Sequence, residues 1–231
     1  MSFSGNVSRH LAPRMTRAVP GLTTSFVREA LNRAVDGVGP LPAAAAAAEK
    51  QLAEQRGDVE RAIHEVIENH VRLAGAQGFL TTGGGLVVAA VTIPANITGL
   101  TMVQCRMVAG IAHLRGHDLD DPRVRNAILT TLLGEDGVAE LIKRRKIPAP
   151  PMALATAPVH DAGLDKLISA EVGADLVSRI AGKRLAVTAA RKVPVFGGIV
   201  GMGADGYATW RIGRYADREI LARPRTGRAG A

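Results

Sequence analysis

From Leu73 to Cys105 the chain runs for 33 residues without a charge, and the way this run is interrupted constrains the fold more than any other feature. A spanning helix needs ~20 apolar residues, so length alone permits a membrane crossing. Composition opposes it. Thr81, Thr82, Thr92, Asn96, Thr98, Thr101 and Gln104 recur through the run, and an isolated helix in lipid would have to satisfy each of these polar groups internally. Pro94 lacks a backbone donor and clashes with the preceding turn, so two helical pieces are expected, joined near Thr92 to Asn96. The first of these, Gly83 to Val91, is too short to cross. The run therefore reads as buried core in preference to a membrane-inserting hairpin; shallow entry into lipid stays open, and a full span is not expected.

A core of this kind is affordable for the chain as a whole, since 47% of its 231 residues are hydrophobic. Only 3% are aromatic, with Trp210 the single tryptophan, which disfavours a base-stacking platform and favours close packing of small residues. Cys105 is the only cysteine, so an internal disulfide and a cysteine zinc cluster are both excluded, in keeping with a reducing cytosol. The first residues, MSFSGNVSRHLAPRMTRAVPG, lack the apolar segment of a secretory signal. A cytoplasmic protein, free or peripherally attached to a membrane, is expected.

Periodicity gives helices almost throughout. Phe26, Ala30, Leu31, Ala34 and Val35 mark a helix closed by Gly37. Ala43 to Gln55 is alanine-rich. Asp58 is placed as an N-cap, followed by an apolar face at Val59, Ile63, Val66, Ile67, His70 and Val71. Another helix runs from about Ala95 to Leu114 and stops at Gly116. Asp121 then caps a helix with Pro122 at its first position. Asp136 to Lys146 is short and ends basic. Leu164 to Ile180, Lys183 to Lys192 and Val193 to Leu221 complete the pattern, and no stretch alternates as a sheet would. The expected fold is all-α: a single helical bundle with glycine-rich, apolar central and C-terminal helices. Residues 1–22 form a flexible arm, 23–221 the helical domain with 147–163 as a proline-rich linker or lid, and 222–231 a flexible basic tail.

Three blocks in order resemble the EcsC protein family. They are TTGGGLVVAAVTIPANITGL (Thr81 to Leu100), LRGHDLDDPRVR (Leu114 to Arg125) and VPVFGGIVGMGADGYATWRIGR (Val193 to Arg214). Two positions depart from the family pattern: Asn96 stands where it has an acid, and His117 where it has an aromatic residue. The resemblance implies a bacterial helical protein, linked by gene neighbourhood to an ABC transporter and to the membrane, with no agreed reaction.

Chemistry is harder to find than fold. His113 and His117 are four apart, with Asp118, Asp120 and Asp121 following, a spacing that could share a metal on one helix face. Gly116 lies between them at a helix end, and Asp121 is already used as a cap, so no metal is assigned. His113 and Asp118 remain weak catalytic candidates. Neither a phosphate-cradling loop nor a nucleophile elbow occurs, and no cofactor is expected.

Charge gives the other candidates. Lys+Arg number 29 against 21 Asp+Glu, a formal net charge of +8. Lys143, Arg144, Arg145 and Lys146, and then Arg211, Arg214 and Arg218, form basic clusters suited to anionic lipid or to a partner protein. Pro94 and Asn96 mark a helix break or pocket. Gly83, Gly84, Gly85, Gly197 and Gly201 are placed as sites of close helix packing, because each glycine costs a helix ~1 kcal/mol and needs compensation.

Three readings remain open. The leading one is a non-enzymatic protein of the membrane surface, or one that binds a membrane partner, linked to transport or envelope processes. The second is a hydrolase-like enzyme acting on an apolar or lipid substrate near Pro94, Asn96, His113 and Asp118. The third, a nucleic-acid binder, is disfavoured by the scarcity of aromatics and the lack of a reading motif.

Overall fold

Helices account for nearly all of the regular structure because the apolar residues recur at helical spacing and are punctuated by caps. The computed structural model describes residues 24–83, 85–190 and 194–223, with side chains over 24–76, 99–179 and 203–223. Among them α1 covers residues 24–36, α2 Ala44–Glu54, α3 Val59–Gly83, α4 Gly85–Leu114, α5 Pro122–Thr131, α6 Gly134–Lys143, α7 Pro151–Ala155, α8 Ala162–Ala190 and α9 Pro194–Glu219. The only β-type pairing among the described residues is an isolated bridge between Val38 and Leu41. The fold is all-α. The expected N-terminal arm and most of the basic tail lie outside the described residues.

The caps fall where the sequence places them. Asp58 Oδ1 accepts the Arg61 amide at the start of α3, and Asp121 Oδ1 accepts the Arg123 amide at the start of α5, behind Pro122.

One helix is central. From Val103 to Leu114, α4 buries Val103, Cys105, Met107, Val108, Ala109, Ile111, Ala112 and Leu114, and with them Gln104, bonded to Thr209, and Arg106, bonded to the Pro42 carbonyl, so it is covered on nearly all sides, as a core helix is. Around it lie α2, α3, α5 and α9, supplying Ile63, Ile67, Ile128, Leu129 and Ile212. Each such side chain removed from water contributes roughly 1.5–3 kcal/mol. The C-terminal part of the uncharged run is thus protein core. Its earlier part, through residue 98, has no described side chains. Among the described residues no helix is long and apolar enough to cross a membrane.

The interruption expected at Pro94 lies elsewhere. α3 continues to Gly83 and α4 starts at Gly85, running through Pro94 without a break. A proline inside a helix costs about 3 kcal/mol, but three successive glycines cost about as much together and also tolerate any backbone angle. The two helices meet at the glycine triplet, whose middle residue, Gly84, lies outside the described residues. The two pieces expected over 164–192 are likewise one helix, α8.

The most extensive packing is that of α9 along α3. A Cβ added at Gly206 would lie 3.6 Å from the Val71 carbonyl oxygen, and one at Gly213 would lie 2.9 Å from Ile67 Cγ2. Residue numbers rise on one helix as they fall on the other, so the two are antiparallel. The end of α3 and the start of α9 therefore share one pole of the bundle. Residues 147–163, read above as a linker or lid, carry α7 and bury Ile147, Pro151, Leu154 and Ala155, with α7 packed on α5.

Candidate functional site

The turn after α4 decides the fate of the histidine pair. Gly116 adopts φ +84, its amide donates to the His113 carbonyl (2.9 Å), and the His117 amide donates to the Ala112 carbonyl (3.0 Å). This is a Schellman cap, which needs a left-handed residue that glycine supplies without strain. The turn carries His117 off the face of His113. His113 Nε2 meets Glu49 Oε1 of α2 at 2.7 Å. His117 is buried and donates from Nε2 to the Leu221 carbonyl at 2.9 Å, tying down the chain after α9. Among the described residues no three His, Cys, Asp or Glu side chains could hold a metal ion.

Asp118 accepts the Asp120 amide through Oδ1 (3.0 Å). Asp121 caps α5 and pairs with Arg123 at 2.6 Å. The hydrogen bond from the Arg123 side chain, outweighing burial, holds the Asp121 carboxyl below the usual carboxylate range. A group with a depressed folded value contributes stability that is fully present above its unfolded value, near pH ~4, and is lost as pH falls through the folded value. Asp121→Ala is accordingly expected to cost about 1 kcal/mol at pH 7 and progressively less below pH ~4. Urea titrations of both proteins at pH 7 and pH 3 would test this, and a cost independent of pH would refute the charge-based part of it.

The weak catalytic candidates His113 and Asp118 are thus bonded to different partners. Pro94 and Asn96 have side chains outside the described residues, as do Gly83, Gly84, Gly85, Gly197 and Gly201 for any close packing. Cys105 is fully buried, and burial pushes its thiol up to about 12, where almost no nucleophilic thiolate exists at neutral pH. His70 donates from Nδ1 to the Val66 carbonyl at 2.7 Å; it is half-buried, and that burial lowers its pKa, which favours the neutral imidazole.

The basic clusters are largely engaged with acids. Arg144 Nε pairs with Glu140 (2.6 Å) and Lys146 Nζ with Glu171 (2.5 Å). On α9, Arg211 pairs with Asp136 (2.7 Å) and Arg218 with Glu135 (2.6 Å), both on α6, while Arg214 lies 3.3 Å from Asp217. Exposed pairs like these contribute little to stability and exchange readily for other anions.

Sequence reasoning missed two constellations. The first joins α1, α5 and α8. Arg28 donates from Nε to Ser169 Oγ (2.7 Å), and from Nη2 to Asn126 Oδ1 (2.7 Å) and the Asp165 carbonyl (2.7 Å). Asn126 donates to Asp165 Oδ1 (2.6 Å), which also meets His160 Nε2 (2.9 Å). Burial alone would raise the Asp165 carboxyl, but the hydrogen bonds from Asn126 and His160 and the Arg28 charge outweigh it and leave it lowered. Serine, histidine and aspartate occur together here without hydrolytic geometry. The Ser169 hydroxyl donates to the Asp165 carbonyl (2.7 Å) and accepts from Arg28, a group that cannot take a proton. His160 instead borders a shallow, open depression with Asp118, Asp120, Asp121 and Arg123.

The second is on α9. Tyr207 and Trp210 are both exposed, and their rings stack with centroids 5.9 Å apart. The only available signal was the i, i+3 spacing of two scarce aromatics in a helix otherwise rich in glycine.

The family resemblance is borne out over nearly the whole chain: the model of the EcsC protein family matches residues 3–223, and the chain belongs to that family. No curated protein and no solved structure matches it.

Proposed function

We propose that this EcsC family member is a non-enzymatic protein that associates with the membrane surface and serves a transport or envelope process there. The supporting observation is where its charge imbalance resides. No Asp or Glu occurs between Glu68 and Asp118 or between Asp175 and Asp205. Those two stretches hold Arg72, Arg106 and Arg115, and Arg179, Lys183, Arg184, Arg191 and Lys192. These eight cations equal the formal net charge of +8, so acids and bases balance over the rest of the chain.

Both acid-free stretches run through helices that end or begin at one pole of the bundle. α3 ends and α4 begins at this pole, and the antiparallel arrangement of α3 and α9 brings the start of α9 to the same end. Lys183 and Arg184 fall on the last turns of α8, and Arg191 and Lys192 follow it in sequence. A Lys or Arg near an anionic surface gains ~1 kcal/mol. Four such residues within ten positions of sequence would gain roughly 4 kcal/mol, a preference for anionic over neutral membranes on the order of 1,000-fold at low salt. The hydrolase alternative has less support, since His113 and Asp118 are each bonded to other groups.

Co-sedimentation with vesicles of phosphatidylcholine alone, and with phosphatidylglycerol added, tests the proposal. Binding should appear with the anionic vesicles and weaken as salt rises from 0.05 to 0.5 M, roughly as charge screening requires. Equal binding to both kinds of vesicle, or binding to neither, would remove the proposal.

A further inference from the structure

We infer that Tyr207 and Trp210 form an aromatic anchor that seats the exposed face of α9 in the headgroup layer of an anionic membrane. This rests on the membrane-surface reading above and adds the residues of contact. Gly203, Tyr207, Trp210 and Arg214 follow one another at i, i+4, i+7 and i+11, and all four are exposed. The opposite side of α9 is buried through Asp205, Thr209, Ile212 and Ala216. The aromatics of this chain are few, and the fold treats them differently. Tyr215, one turn further on, is buried at 7% exposure, whereas Tyr207 is left 61% and Trp210 46% exposed.

Rings with an apolar body and one polar tip are favoured where hydrocarbon meets water. A membrane is the occupant that the surrounding charge fits. The 29 residues before Asp205 lack any acid, and Arg211 and Arg214 flank the pair on its other side, Arg211 held by the exposed Asp136 carboxylate and Arg214 by the half-buried Asp217, which keeps Arg115 as a second partner. A phosphate can displace a carboxylate from an exposed guanidinium without leaving a buried charge unpaired.

Trp210 is the only tryptophan, so the emission of the unmodified full chain reports on this surface alone. On adding phosphatidylglycerol-containing vesicles with brominated acyl chains, Trp210 emission should shift to the blue and be quenched. The Tyr207→Ala, Trp210→Ala double variant should keep its helical circular dichroism and bind such vesicles at least about tenfold more weakly by sedimentation. Sedimentation with the vesicles, without quenching and with the double variant binding as wild type does, would overturn the anchor while leaving the membrane reading intact. No sedimentation at all would overturn both. A blue shift that instead follows protein concentration without vesicles would make the strip a contact between two copies and overturn the lipid assignment.

Discussion

Leucine at Gly213 is expected to destabilise the protein by about 3 kcal/mol or more, while alanine at Gly206, two turns away on the same helix, is expected to stabilise it by up to ~1 kcal/mol. Both glycines lie on the side of α9 that packs against α3, and both should gain helix propensity when given a side chain. They differ in what the new atom meets. At Gly213 a Cβ would lie 2.9 Å from Ile67 Cγ2, 3.1 Å from Ile67 Cγ1 and 3.1 Å from Met107 Sδ. Ile67 and Met107 are themselves buried, so neither can retreat without disturbing the contact among α3, α4 and α9. At Gly206 the nearest atoms are the Val71 carbonyl oxygen at 3.6 Å and Val71 Cγ1 at 3.7 Å, an ordinary van der Waals distance. Gly213→Ala should fall between, its propensity gain offset by overpacking that typically costs 1–3 kcal/mol. Urea midpoints for the three variants would check the order. Stabilisation by Gly213→Ala equal to that by Gly206→Ala would show that close approach is not what keeps glycine at 213.

The contrast illustrates which parts of this fold could be read from the residues. Signals confined to one turn were legible: the caps at Asp58 and Asp121, and the stop at Gly116. A periodic apolar face was also legible, as in α1 and the first half of α3. The run from Leu73 to Cys105 was harder, because an uncharged, mainly apolar helix suits a protein core and a bilayer alike. A break was expected at Pro94 from its missing donor and its clash with the preceding turn, yet α4 passes through it, and the helix ends on either side fall at Gly83 and Gly85. Residues 147–163 read as a linker from their prolines, yet Ile147, Pro151, Leu154 and Ala155 fall at i, i+4, i+7 and i+8, and all four are buried. The site was least legible of all, since its chemistry depends on partners distant in sequence. Arg211 and Asp136 are 75 residues apart, His113 and Glu49 64, and Arg28 and Ser169 141. Sequence composition established that the clusters were basic, but only the folded chain could disclose which cations already had carboxylates.

The largest effect of a polar substitution is expected at Arg28. Arg28→Met keeps most of the stem while deleting the guanidinium that serves Asn126, Ser169 and the Asp165 carbonyl, on two helices other than its own. Asn126 and Ser169 are buried, at 2% and 0% exposure, so little water is available to replace the lost donors. Leaving a buried polar group unsatisfied costs about 1–3 kcal/mol. Because the Arg28 side chain is one quarter exposed, a total of about 2–3 kcal/mol is expected in place of the larger penalty of a dry site. Arg28→Lys should recover only part of it, since an ammonium cannot present the planar fork that spans all three acceptors. The loss should also be local at first. α1 is tied to α5 through Arg125, which donates to Asn32 (2.8 Å) and reaches Asp36 (3.3 Å), but its tie to α8 runs through Arg28. Native-state hydrogen exchange should therefore show amides of residues 24–36 losing protection in Arg28→Met before those of α3, together with a lower urea midpoint. If Arg28→Met instead shifted stability by less than about 0.5 kcal/mol, or Arg28→Lys matched wild type, the cluster would be a solvated surface contact and would not serve as the joint between α1 and α8.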